Sequence, residues 1–313
     1  MSRILITGAA GFVGSWLCRE FSCDHEVIAM VRSESCSLLR LQDIQHQIQI
    51  IAHNISQPWP DLGPVDVILH AGGDASSESC IKDPLGAVDS NVRATVNALE
   101  FARPSGVGHF VYYSSGEVFG PVPPGMSSGE DDVYACGTPY AATKAAGAEL
   151  VRSYYHCHGL RASVIHINNT FGAWSQPNRF PAIAARAILK NQPLTVHRDP
   201  LGNIARRRWF SVSDVASHTR WILTHQVQGF ECWNSAGARS IDNLEFAQIM
   251  AQIAGRDLEY QVQESSRPGH TVCYDIDPKK IYESGWRGTQ SLEQHLANTL
   301  EWYQHNPEWL ERT

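Results

Sequence analysis

The first thirty residues constrain the fold more than any other part of the chain. Ile4-Leu5-Ile6-Thr7 is a short apolar run, and Gly8-Ala9-Ala10-Gly11-Phe12-Val13-Gly14 follows it. An amphipathic stretch over 15–21 and a second apolar run over 26–31 complete the unit. The pattern predicts strand, helix and parallel strand, with Gly-x-x-Gly-x-x-Gly at the first strand-to-helix turn. Glycine permits the tight turn and lets backbone approach a pyrophosphate, while the helix N-terminus offers unpaired N–H groups to the anion. Gly8, Gly11, Phe12, Val13 and Gly14 are therefore expected to hold a dinucleotide. Such a unit belongs to an open, doubly wound α/β sheet, a Rossmann arrangement.

Further strands are expected over 48–52, 65–70 and 109–114, with helices between them, including one over 84–102. An acidic residue at the end of the second strand would hold the ribose hydroxyls of NAD. Here Val31-Arg32-Ser33 stands there. Arg32 and Ser33 could meet a 2′-phosphate, which favours NADP; the alternative is a solvated arginine beside an NAD ribose. Asn54, just past the third strand, joins the expected cofactor contacts. His70 reads as a packing residue at a strand end. Asn91 reads either as a hydrogen-bonding group near a second functional helix or as a helix-face polar residue.

The whole chain has 313 residues, 43% hydrophobic and 18% charged, enough for a large core. A formal net charge of −7 argues against nucleic acid or an anionic membrane as the main partner, so any anionic substrate must be met by local arginines. The eight cysteines are scattered without metal-like spacing and read as reduced thiols of a cytoplasmic protein; no metal is expected. No signal peptide or membrane span is apparent. His156-Cys157-His158 is no metal motif, since i and i+2 on a helix do not face each other. Cys136, four residues before Tyr140, reads as a packing thiol.

The chemistry is expected after the fifth strand. Val111-Tyr112-Tyr113-Ser114-Ser115-Gly116-Glu117 leaves a strand whose carboxyl end is where such sheets place ligands. Downstream lies Pro139-Tyr140-Ala141-Ala142-Thr143-Lys144. Tyr140 and Lys144 share one helix face, one turn apart. Lys144 could lie beneath Tyr140 and stabilise its phenolate, giving a base that takes a proton from a sugar or alcohol hydroxyl. Ser115 could hydrogen-bond the same substrate oxygen.

Gly8/Gly11/Gly14, Ser115, Tyr140 and Lys144 together resemble the extended short-chain dehydrogenase/reductases. Asn169-Thr170-Phe171-Gly172, Arg207-Arg208-Trp209-Phe210-Ser211-Val212-Ser213-Asp214, Arg267-Pro268-Gly269-His270 and Tyr274-Asp275-Ile276-Asp277 extend the resemblance over nearly the whole chain. Their pattern is similar to the nucleotide-sugar 4,6-dehydratase group, dTDP-glucose 4,6-dehydratases above all. The resemblance implies a Rossmann domain from 1–167 plus about 210–235. A smaller nucleotide-sugar domain would come from 168–209 and 236–313. It implies Tyr140 and Lys144 also at the cofactor, Asn169, Arg207 and Arg267 at a nucleotide-diphosphate sugar, and a homodimer. An Arg fork suits phosphate oxygens; surface charge is the reading for Arg206 and Arg208.

The resemblance also implies oxidation at C4 of the sugar, which acidifies C5. In the dehydratases a Thr-Asp-Glu segment then supplies an acid for the C6 hydroxyl and a base for C5. This chain reads Ser115-Gly116-Glu117, so the base position is kept and the acid is missing. Water in the space left by Gly116, or Glu117 acting twice, could substitute. The expectation is a 4,6-dehydratase. Decarboxylation or 4-epimerisation on the same scaffold is the alternative, and a catalytically weak cofactor-binding protein is a third.

Overall fold

The computed structural model describes residues 1–123, 125–225, 228–265 and 273–312. The apolar runs form strands β1 (Arg3–Thr7), β2 (Glu26–Val31), β3 (Ile48–Ala52), β4 (Val67–His70), β5 (His109–Ser115) and β6 (Ala162–Ile167). Short strands β7 (Thr170–Phe171), β8 (Leu194–Arg198), β9 (Arg206–Arg207) and β10 (Phe210–Ser211) follow. The last are β11 (Phe230–Ser235), β12 (Ile241–Asp242) and β13 (Tyr260–Glu264). Seven of these make one parallel sheet in the order β11-β6-β5-β4-β1-β2-β3. Strands inside such a sheet are covered on both faces, which explains the apolar runs of β1, β2 and β4. Register aligns Thr7 with His70 and Ser115 with Ile167, so the functional turns leave one edge of the sheet together.

Helices cover both faces. They are α1 (Phe12–Ser22), α2 (Ser77–Lys82), α3 (Pro84–Val88), α4 (Ala94–Ala102), α5 (Pro139–His158), α6 (Phe180–Leu189), α7 (Val212–Thr224), α8 (Asn243–Ala254), α9 (Lys279–Glu283), α10 (Leu292–His305) and α11 (Pro307–Leu310). One face buries Leu17, Phe21, Val215 and Ile222 from α1 and α7. The other buries Leu99, Ala148 and Val151 from α4 and α5. A separate core of Phe171, Ile188, Trp209, Phe246, Leu300 and Tyr303 joins α6, α8 and α10 to the short strands. Trp302 and Tyr303 lie within α10, and Tyr303 is fully buried.

The expected single helix over 84–102 is in fact α3, a π-helical turn over Asp89–Arg93, and α4. The wider turn carries Asn91 inward. Asn91 Nδ2 donates to Thr143 Oγ1 (3.0 Å) and to the Asp74 carbonyl (3.1 Å), and its Oδ1 accepts from Asp74 N (2.8 Å). Asn91 thus ties the loop after β4 to α5, which resolves the two readings of it in favour of the hydrogen-bonding one. Among the described residues no helix is long and apolar enough to cross a membrane, and no acidic, His or Cys cluster could hold a metal. All eight cysteines are free.

Candidate active site

The glycine turn is closed by its own backbone. Gly8 has φ +65°, and a Cβ there would meet Gly72 Cα at 2.8 Å. A Cβ on Gly14 would lie 2.2 Å from the Gly8 carbonyl oxygen. Gly11 N donates to Gly8 O (2.8 Å), and Gly11 then N-caps α1 with no side-chain cap. Phe12 and Val13 therefore open a helix whose first N–H groups have no side-chain partner, beside a turn with no room for a side chain. These features fit a dinucleotide diphosphate. Thr7 Oγ1 accepts from Gly72 N (2.9 Å) and meets His70 Nδ1 (2.9 Å). Burial pushes the His70 imidazole down to about 3, so it is a neutral packing group. Arg32 lies exposed at the end of β2, and Asn54 sits in an exposed turn after β3, its Oδ1 accepting from Ser56 N (3.1 Å).

The second part of the site is built around α5. Thr138 caps its N-terminus through Ala141 N (3.1 Å), Pro139 takes the first turn, and Gly159 at φ +68° ends it. Small residues on the inner face let α5 lie close to β5; a Cβ on Gly147 would meet the Tyr112 hydroxyl at 2.2 Å. Tyr140 and Lys144 are both buried. Lys144 Nζ lies over the Tyr112 ring, 4.4 Å from its centroid, and burial pushes its ammonium down to about 7.

Tyr140 differs from the sequence expectation. Burial pushes its phenol up, and the neighbouring Glu117 charge pushes it further. A Ser115 hydrogen bond and Arg179 act in the opposite direction. The side chains that weigh on Tyr140 are therefore Glu117, Ser115, Tyr274 and Arg179 rather than Lys144.

Ser115 ends β5 and its Oγ accepts from Glu117 N (3.2 Å), which starts a 3-10 turn over Gly116–Phe119. Glu117 accepts a hydrogen bond from Ser77 Oγ (3.1 Å). Burial raises its carboxyl above the ordinary glutamate range, and Ser77, Arg207, Arg179 and Tyr274 temper that rise. Gly116 is also buried. A Cβ there would lie 3.2 Å from Ile276 Cγ2, and Ile276 is fully buried. Ile276 thus packs against Gly116 and makes that part of the wall apolar.

The far wall comes from the short strands. Arg207 is buried, its guanidinium 4.1 Å from the centre of the Tyr274 ring. Its neighbours turn elsewhere, as alternation along a strand requires. Arg206 pairs with Asp242 (3.7 Å), and Arg208 donates to the Ala238 carbonyl (2.6 Å). The Tyr274 hydroxyl donates to Asn169 Oδ1 (2.8 Å). Arg267 lies outside the described residues. The structure thus gathers Ser115, Glu117, Tyr140, Asn169 and Arg207 in one cleft. Arg32 and Asn54 stand apart from it, on the far side of the glycine turn. Sequence reading missed Ser77, Arg179 and Tyr274. Tyr274 lay in a noticed motif without a role, while Ser77 and Arg179 gave no local signal.

The NAD dependent epimerase/dehydratase family matches residues 4–234. The chain belongs to that family. A dTDP-glucose 4,6-dehydratase of Streptomyces niveus is 28% identical over 323 aligned positions, covering 99% of this chain and 95% of the relative. The dTDP-glucose 4,6-dehydratase DesIV of Streptomyces venezuelae, solved with NAD, is 26% identical. It superposes with a TM-score of 0.88 over 99% of both chains. A UDP-glucose 4-epimerase of Thermus thermophilus, also solved with NAD, has a TM-score of 0.87 over 96% of this chain and 99% of its own; at 24% identity it shows the fold alone. DesIV was solved with NAD, which lends no support to the preference for NADP drawn from Arg32.

Proposed function

We propose that this member of the family is a nucleotide-sugar 4,6-dehydratase working through a transient 4-keto sugar. The observation that carries the reading is Glu117, a carboxyl of raised proton affinity beside Tyr140 at the carboxyl end of β5. A plain 4-epimerase needs no such base. The full-length dehydratase relatives support the same reading.

In this proposal Gly8, Gly11, Phe12, Val13 and Gly14 hold the diphosphate of NAD or NADP, Arg32 and Asn54 flank its adenosine end, and Lys144 holds the nicotinamide ribose. The bound dinucleotide supplies the two-electron acceptor and donor. Ser115 orients the C4 hydroxyl and Tyr140 takes its proton; the Ser115 hydrogen bond and Arg179, with the positive charge a bound nicotinamide would add, oppose the burial that favours the protonated phenol. Glu117 takes the C5 proton and later returns it. Arg207 meets the substrate diphosphate, with Asn169 beside the sugar; Arg267 is assigned to the nucleotide by resemblance only. The smaller domain over 168–209 and 236–313 closes on the substrate. The protein acts as a homodimer through α3, α4 and α5, where Leu85 is 79% exposed and Ile81 and Val88 lie nearby.

Gly116 favours a second reading, decarboxylation or 4-epimerisation, because neither needs an acid at C6. The test is a panel of NDP-glucose, NDP-N-acetylglucosamine, NDP-mannose and NDP-glucuronate with product masses. Loss of water supports the dehydratase, loss of carbon dioxide the decarboxylase, and a new stereoisomer of equal mass the epimerase.

A further inference from the structure

We infer that Tyr274 is the proton donor to the leaving C6 oxygen, a catalytic residue that stands in for the acid that position 116 lacks; this rests on the dehydratase reading. The segment 273–277 accounts for both halves of the exchange. Isolated bridges at Cys273 and Ile276 hold the segment against Arg206 and Ser128. Ile276 packs against Gly116, and Tyr274 brings a phenol to the same wall of the cleft. Its hydroxyl is fixed by Asn169 Oδ1 at 2.8 Å, and Asn168 Nδ2 reaches its backbone carbonyl (3.5 Å). Tyr274 interacts with both Glu117 and Tyr140, the groups assigned here to C5 and C4.

The Tyr274 O–H rests on Asn169 Oδ1 and must turn from it to the C6 oxygen when substrate binds; the nearby serine hydroxyls are held closer to Glu117 and Tyr140. Ser115 Oγ accepts from Glu117 N and bonds Tyr140, and Ser77 Oγ donates to Glu117. Both are also much weaker acids than a phenol. Burial raises the Tyr274 phenol above its ordinary value, so it stays protonated at neutral pH. Arg207 acts in the opposite direction and would stabilise the phenolate left behind.

The step balances. Starting from the 4-ketone, the C5–H bond breaks and its proton goes to Glu117. The electron pair forms C5=C6 as the C6–O bond breaks. The departing oxygen takes the phenol proton and leaves as water. Tyr140 still holds the proton from the C4 hydroxyl, and its transfer to the Tyr274 phenolate restores both tyrosines.

The test compares wild type, Tyr274→Phe and Glu117→Gln on the NDP-hexose the panel selects and on its 6-deoxy-6-fluoro analogue. Fluoride leaves without a strong acid's help. Tyr274→Phe is expected to keep deuterium exchange at C5 while water loss falls about 10²–10⁴-fold. Its fluoride loss should fall less than about tenfold, whereas Glu117→Gln should lose both. Unchanged melting temperature and nucleoside-diphosphate affinity would accompany this. A fluorotyrosine at 274, nearly isosteric and more acidic, should move the alkaline limb of water loss to lower pH and leave that of C5 exchange in place. Water loss retained within about threefold in Tyr274→Phe, loss of C5 exchange along with water, or an unmoved alkaline limb would each overturn the assignment. Failure of the parent reading looks different: wild type itself would release no water from any hexose, and the role would fall with it.

Discussion

The glycine turn proposed for the dinucleotide and the cleft proposed for the sugar lie at the same edge of one sheet but are made in different ways. The turn is backbone and absence: Gly8, Gly11 and Gly14 bring chain against chain within seven residues. The cleft is side chains from distant places. Glu117 follows β5, Ser77 opens α2, Tyr140 rides α5, Asn169 precedes β7, Arg207 lies in β9 and Tyr274 comes from near the C-terminus. A site of the first kind tolerates change in its surroundings but none at the turn itself. A site of the second kind tunes each group's proton affinity through its neighbours, and small changes redirect the chemistry.

The largest effects are therefore expected in the cleft. Tyr140→Phe should abolish even the first reduction of the cofactor. Glu117→Gln should leave C4 oxidation largely intact while elimination falls about 10²–10⁴-fold. Stopped-flow absorbance of reduced nicotinamide would then show slow, persistent reduction with little product. A fully active Glu117→Gln, with no deuterium entering C5 in wild type, would move the reaction to 4-epimerisation.

Gly14→Ala attacks the turn. Its Cβ would sit 2.2 Å from the Gly8 oxygen, and backbone cannot yield as a flexible side chain does. Overpacking of this kind costs about 1–3 kcal/mol, or about 5- to 150-fold if it falls on cofactor affinity. Titration of NAD and a thermal melt would partition the loss. A wild-type affinity would show that the turn is looser than its spacing.

How far the sequence showed each region follows from the same difference. The turn was legible because it is local: spacing, flanking runs and glycine sterics all sit within thirty residues. Tyr140 and Lys144 were legible as one helix face, yet the balance of charges on Tyr140 was not. It depends on Glu117, Tyr274 and Arg179, which only the fold brings near. The π turn at Asn91 was hidden because no local residue signal marks where a helix takes in an extra residue. Arg207 was chosen over its neighbours by resemblance; its burial beside Tyr274 could not be read from Arg206-Arg207-Arg208 alone.

The pH profile offers a smaller, signed test. A C5 base must be deprotonated to act, and burial raises Glu117 above the ordinary glutamate value. The acid limb of elimination should accordingly lie above that value, with activity falling as pH drops through it. Ser77→Ala removes a hydrogen bond that favours the carboxylate, so the limb should move further upward. A limb that does not move would show that Ser77 only braces the loop.

The smallest effect is expected at Arg32. It is exposed at the end of β2, where an ion pair works in high dielectric and is worth about 0–1 kcal/mol. A 2′-phosphate met there would gain at most about fivefold in affinity. NAD and NADP should therefore bind within one order of magnitude of each other in wild type, and Arg32→Ala should weaken NADP by about that factor while leaving NAD almost unchanged. Calorimetric titration with both dinucleotides decides it. Equal loss for the two would mean that Arg32 does not read the 2′-phosphate. A loss of NADP above about tenfold would mean that the turn borrows a second side chain for selectivity, with Ser33 the neighbour to vary next. That result would make the dinucleotide end resemble the sugar cleft, a site assembled from side chains after all.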